Sequence, residues 1–123
     1  MPVPETRVVI HQESEGDVPL LTWLADLPAK ARAKCIERIE RLALLGSELR
    51  RPEADYLRDG IYELRVRHQR INYRMLYAFV GKNVALLTHG LVKERRVPPG
   101  EIDQAIKRKR RFEDDPDTHT YEE

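Results

Sequence analysis

The run TRVVIH, Thr6 to His11, is short and β-branched, the pattern of a strand. Apolar positions then recur at helical spacing. Leu20, Trp23, Leu24 and Leu27 follow Asp17, which stands as an N-cap. After Pro28, which fits either as a break or as the first residue of the next helix, Ile36, Ile39, Leu42 and Ala43 line one face opposite Lys34, Glu37, Arg38 and Arg41. Gly46 closes this second helix. The two helices form an α-hairpin with an apolar seam, in which Trp23 and Cys35 read as core. Glu48 to Gly60 is polar and turn-rich, a loop ending at Asp59-Gly60.

Three strands follow, and their alternation assigns faces. Tyr62, Leu64 and Val66 share one face, with Glu63, Arg65 and Arg67 on the other; Tyr73, Met75, Tyr77 and Phe79 share a face opposite Asn72, Arg74, Leu76 and Ala78. A four-residue connection, His68 to Ile71, places Arg65 opposite Arg74 and Arg67 opposite Asn72, so that the apolar faces coincide. A two-residue turn at Gly81-Lys82 would pair Val80 with Asn83 and Arg74 with His89, setting Val84, Leu86 and Thr88 behind the aromatic row. Arg65, Arg74 and His89 then form a row across three strands. Pro98-Pro99-Gly100 precedes a helix containing Ile102, Ala105, Ile106 and Phe112 and the run KRKRR, Lys107 to Arg111. The expected fold is α+β: an N-terminal strand and helical hairpin on a small antiparallel sheet of about four strands, one layer of helix on one sheet, with a C-terminal basic helix.

Length and composition narrow this picture. The chain of 123 residues has room for one domain, read as residues 1–112, followed by an acidic tail, 113–123, expected to be disordered and either to fold back on the basic face or to aid solubility. The single Cys35 excludes an internal disulfide and a cysteine-based metal site, and the four histidines show no metal-ligand spacing. No metal or cofactor is expected. No apolar run approaches the ~20 residues that cross a bilayer, so a cytoplasmic protein without membrane contact is expected. The formal charge of +1 conceals a division: Arg58 to Arg111 carries 14 Lys and Arg against 5 Asp and Glu, the remainder 8 against 16. Such segregation favours an anionic partner for the basic half.

The strand cations sharpen that expectation. Like charges opposite one another repel, so the Arg65–Arg74 pair calls for an anion between them, supplied by phosphate or by Glu63 and Glu94. RNA carries its own nucleophile, the 2′-hydroxyl; a small protein need only remove that proton, align the oxygen with phosphorus, and stabilise the added negative charge. Arg65, Arg67 and Arg74 are candidates for charge stabilisation, and His89 is the candidate base or acid because an ordinary imidazole titrates near neutrality. Asn72, beside Arg67, is a candidate RNA contact by register, while Lys107, Arg108, Arg110 and Arg111 provide a general electrostatic footprint.

The segments YELRV, YRMLY and HGLVK, with their spacing and the order of elements, resemble the RelE/HigB/ParE superfamily of bacterial toxins, and within it the phage-derived HigB-like branch; the likeness covers about residues 5 to 112. The resemblance implies the toxin of a type II toxin-antitoxin system. By that reading it is an endoribonuclease, an mRNA interferase that cuts messenger RNA, commonly on the ribosome, and thereby inhibits translation. It implies as partner a cognate antitoxin, frequently a helix-turn-helix DNA-binding protein. Family strand cations map to Arg65, Arg67 and Arg74, the histidine to His89, and a following lysine to Lys93. Glu94 stands where related sequences tend to carry a second lysine, so Arg95 or Arg96 would substitute there. A gyrase inhibitor of the ParE type and a noncatalytic nucleic-acid-binding module are the competing readings.

Overall fold

The computed structural model describes residues 6–92 and 95–122. Its elements are β1 (Arg7–Ile10), α1 (Pro19–Ala25), α2 (Ala29–Leu45), β2 (Ala54–Arg58), β3 (Ile61–His68), β4 (Ile71–Val80), β5 (Val84–Val92), α3 (Pro99–Asp114) and α4 (Pro116–His119). The α+β class is as expected. The sheet, however, has five strands in the order β1-β5-β4-β3-β2, with β1 parallel to β5 and the other pairs antiparallel, so it is mixed. The extra strand is β2, which lies in the stretch read as a loop. It is an edge strand with only Ala54 buried, so its sequence lacks the apolar signature of an interior strand.

Helices cover both faces of the sheet. On one side α1 and α2 pack on Leu64, Val66, Tyr73, Met75, Tyr77 and Leu87. On the other, Ile102 and Ala105 of α3 cover Ile61, Leu76, Ala78 and Leu91, while Phe112 meets Val9 and Leu86. The amphipathic stripe of α3 is the reason the expected single helical layer becomes two. It also leaves the outer half of that sheet face, where the arginines stand, uncovered by α3's apolar residues.

Several local readings need correction. The N-cap of α1 is Val18 rather than Asp17, without a side-chain hydrogen bond. On α2 the fully buried positions are Ala31, Cys35 and Leu42; Ile36 is exposed, because the buried stripe is rotated toward Arg38, whose guanidinium donates to the Arg65 carbonyl. Gly46 does terminate α2, with φ of 53°. The β3–β4 pairing is as expected, Arg65 opposite Arg74 and Arg67 opposite Asn72, through a tight turn in which Gln69 and Arg70 both have positive φ. The β4–β5 pairing differs: Val80 pairs with Val84, and a bulge between Leu76 and Tyr77 puts His89 opposite Leu76 and Leu91 opposite Arg74. The turn holds three residues, 81–83, one more than expected, and this shift puts Val84 and Leu86 on the α3 side and not behind the aromatic row; the bulge then adds a second one-residue shift.

The bulge also brings Gly90 beneath Trp23. A Cβ at residue 90 would lie 2.3 Å from Trp23 Cδ2 and Cε3. Gly90→Ala is expected to destabilise the fold by about 1–3 kcal/mol through overpacking. Urea unfolding of Gly90→Ala alone and with Trp23→Leu checks this, the second change relieving most of the loss.

The acidic C-terminal stretch, through Glu122, carries defined elements. α3 continues through Asp114, α4 follows, and Thr120 bridges His11. His11 is fully buried and stacks on His119, ring centroids 5.3 Å apart and planes within 5°. His119 Nδ1–H donates to the Gln12 carbonyl at 2.7 Å. His11 Nε2 lies 3.4 Å from Glu13, whose carboxylate also takes Arg108 at 2.8 Å and Arg111 at 3.1 Å. Burial pushes the His11 imidazole down from 6.5 to about 4; Arg108 and His119 push the same way, and Glu13 opposes them. Below pH 6.5 the unfolded chain therefore takes up a proton that the folded chain refuses. Stability is expected to fall as pH drops from about 6.5 toward about 4, by on the order of 3 kcal/mol for this group. Urea midpoints across that range measure the slope, which flattens in His11→Gln.

Candidate functional site

On the α3 side of the sheet, the outward residues of β3 and β4 change from apolar at one end to charged at the other. Ile61, Leu76 and Ala78 lie under α3, whereas Glu63, Arg65, Arg67, Asn72 and Arg74 lie beyond its apolar stripe. The centre of the charged end is Glu63, with a side chain only 3% exposed. Arg74 Nη1 donates to both Glu63 oxygens, at 2.6 and 2.8 Å, and Arg65 Nε stands 3.4 Å from Oε1. An internal carboxylate thus offsets the Arg65–Arg74 repulsion, which makes Glu63, not a bound phosphate, the resident counter-ion of the pair. The two arginines differ in access. Arg74 is almost buried, whereas the Arg65 side chain is 41% exposed and its fork reaches solvent.

Two recesses open on this pair. The larger, about 770 Å³, lies between β2, β3 and the residues leading into α3, with Arg51, Arg58, Arg65, Arg74, Arg95 and Arg96 on its walls and Glu63 and Asp55 also lining it. The smaller, about 360 Å³, is bounded by Arg38, Glu53, Arg65, Arg67, Asn72 and Arg74. Several cations in or beside these recesses are already paired. Arg41 grips Glu53 through two bonds of 2.7 Å, Arg51 meets Asp55 at 2.7 Å, and Arg58 bridges Asp59 and Asp103 at 2.8 and 2.9 Å. Among the described residues, Arg67, Arg95 and Arg96 have no carboxylate partner. Their charge is available to an anion entering either recess.

The structure therefore gathers Arg65, Arg67, Asn72 and Arg74 around the smaller recess and brings Arg95 and Arg96 to the larger one. It separates His89 from both. His89 is buried beside α3, Nδ1 3.0 Å from Thr88 Oγ1 and Nε2 3.2 Å from Glu101 Oε2. Glu101 can only accept when ionised, so the neutral ring carries its proton on Nε2 and Nδ1 accepts from the Thr88 hydroxyl. Burial first, and then the Arg108 charge, lower the His89 pKa below its ordinary value. Lys93 lies outside the described residues, as does Glu94. The basic run is divided: Arg108 and Arg111 are held by Glu13 at the far end of the sheet, Lys107 and Arg110 face solvent, and none of them lines the two arginine recesses.

Sequence reasoning missed Arg51, Arg58 and Tyr56, all in or beside the unrecognised strand β2. A weak signal was present in the neighbouring Tyr56 and Leu57, masked by the charges around them.

The mixed five-stranded sheet flanked by helices, with an arginine-lined recess on one face, is compatible with a RelE-like fold. The chain belongs to the family described as phage derived protein Gp49-like (DUF891), whose model matches residues 22–110, from within α1 into α3. This is a RelE/ParE-like toxin family associated with toxin-antitoxin systems, and it implies an antitoxin partner. Comparison with curated proteins gives no match. The match leaves out β1 and α4, the two elements joined through His11 and His119. Among the described residues, no helix is long and apolar enough to cross a membrane.

Proposed function

We propose that this toxin belongs to the HigB-like branch and is a metal-independent endoribonuclease that cuts messenger RNA in the cytoplasm, on the ribosome, and so halts translation. The observation that supports it best is the Arg65–Glu63–Arg74 cluster, open on one side and flanked by Arg67, Arg95 and Arg96, which have no carboxylate partner among the described residues. A phosphodiester entering beside Arg65 meets planar donor forks aimed from two strands. As the 2′-oxygen attacks phosphorus, the equatorial oxygens gain charge that Arg65, Arg67 and Arg74 stabilise. The 2′-hydroxyl proton passes to solvent water as the 2′-O–P bond forms, the P–O5′ bond breaks, and the leaving 5′-oxygen takes up a proton, leaving a 2′,3′-cyclic phosphate on one fragment and a 5′-hydroxyl on the other.

In this reading Glu63 holds Arg74 in a fixed orientation, which avoids reorganising that arginine during the reaction. Lys93 or Arg95 assists the leaving 5′-oxygen. His89 stands behind α3 with its Nε2–H committed to Glu101, so we assign it to positioning the α3–β5 junction instead of to proton transfer from RNA. The cognate antitoxin, in this branch a helix-turn-helix protein, is the expected inhibitor.

A noncatalytic nucleic-acid-binding module is the second reading. It is favoured by one observation: neither recess has a histidine among its described lining residues. Purified protein added to a translating extract separates the two, since new cyclic-phosphate ends support the nuclease and strongly salt-dependent binding without such ends supports the module.

A further inference from the structure

We propose that the hollow along the outer edge of β2 is a nucleobase subsite, with Tyr56 as its stacking platform, for single-stranded RNA whose phosphate occupies the arginine recess. The proposal rests on the reading of that recess as an RNA site and adds the place where the adjoining base goes.

Tyr56 is 52% exposed, yet its ring is fixed from two directions. Its hydroxyl accepts from the Gly60 N–H at 3.0 Å, and its ring meets Tyr62 edge to face at 4.9 Å and 69°. An exposed aromatic held in one orientation stacks on a base with little further loss of side-chain freedom. The hollow beside it, about 470 Å³, has an apolar floor of Leu49, Ala54 and Tyr62. Ser47 and Arg50 supply polar groups at its rim. Its dimensions and chemistry suit a flat heteroaromatic ring with polar edges.

The hollow is also connected to the charge. Arg51, Asp55 and Tyr56 line both it and the 770 Å³ arginine recess, so the two meet across the edge strand. Asp55 sits opposite Glu63 in the β2–β3 register, while Tyr56 sits opposite Tyr62 on the other face. A chain with its phosphate beside Arg65 can therefore cross β2 at Arg51 and place the neighbouring base on Tyr56. Duplex RNA keeps its bases stacked inward, whereas a single strand can turn one out onto this ring.

The test uses uncleavable 2′-O-methyl hexanucleotides of randomised sequence carrying one 2-aminopurine, titrated into the full chain and into Tyr56→Phe, Tyr56→Leu and Arg65→Ala/Arg67→Ala. Wild type and Tyr56→Phe are expected to quench the 2-aminopurine. Tyr56→Leu is expected to bind about 5- to 150-fold more weakly with an unchanged salt slope, the range set by loss of one stacked base. Arg65→Ala/Arg67→Ala instead reduces the salt slope. If Tyr56→Leu binds and quenches like wild type, the platform is overturned and the arginine recess stands. Wild-type binding without quenching also overturns the platform, independently of any variant. If wild type does not bind even at low salt, the reading of the recess falls and the subsite with it.

Discussion

Arg74→Ala is expected to lose about 3–5 kcal/mol of folding stability together with all cleavage, because it strands the buried Glu63 carboxylate without its principal partner. The combined change Glu63→Leu/Arg74→Met removes both charges and keeps apolar volume. It is expected to recover most of the stability and none of the activity. Urea unfolding and cleavage assays on the single and double variants check both halves of this result. The pair illustrates why a missing activity in Arg74→Ala alone would be ambiguous: the same residue is a candidate for phosphate stabilisation and a partner in a buried ion pair.

Arg65 and Arg67 avoid that ambiguity. Both side chains reach solvent, and neither is the main partner of a buried acid. Arg65→Ala or Arg67→Ala is expected to leave the unfolding midpoint nearly unchanged and to reduce cleavage by about 100- to 1,000-fold, the loss typical of one donor to a developing anion. Single-turnover rates on a saturating messenger substrate measure this. Loss of binding with an unchanged rate at saturation would instead assign the arginine to uniform substrate binding.

The difference between these arginines shows what could be read without coordinates. Strand parity was enough to place Arg65 opposite Arg74 and Arg67 opposite Asn72, because a two-residue side-chain period with one buried face admits few registers. Parity could not show that Glu63 closes on Arg74; that depends on side-chain reach and burial. The β4–β5 register was misplaced for a related reason. A turn one residue longer than expected, 81–83, and a bulge between Leu76 and Tyr77 each add a residue without any composition that marks it, and together they carry His89 opposite Leu76, under α3 and away from the arginines.

The ends of the sheet were the hardest to read. β2 bears charges because an edge strand faces solvent, and its polar sequence looks like a loop. Arg51, Arg58 and Tyr56 were missed with it. Few residues of the acidic tail are apolar, yet His119 is held by a ring stack and two hydrogen bonds to the Gln12 backbone that no hydropathy pattern encodes. By contrast, α2 and α3 were plain from periodicity, and only the rotation of the buried stripe on α2, set by Arg38 and Glu53, had to come from the structure.

The most direct measurement is induction of wild type and of Arg65→Ala/Arg67→Ala in cells, followed by transcriptome-wide mapping of new RNA 5′ ends. New 5′-hydroxyl ends within coding regions, in phase with codons and present only with wild type, are the predicted result. Growth arrest by wild type without new RNA ends would contradict the nuclease account and assign the arginine recess to binding alone.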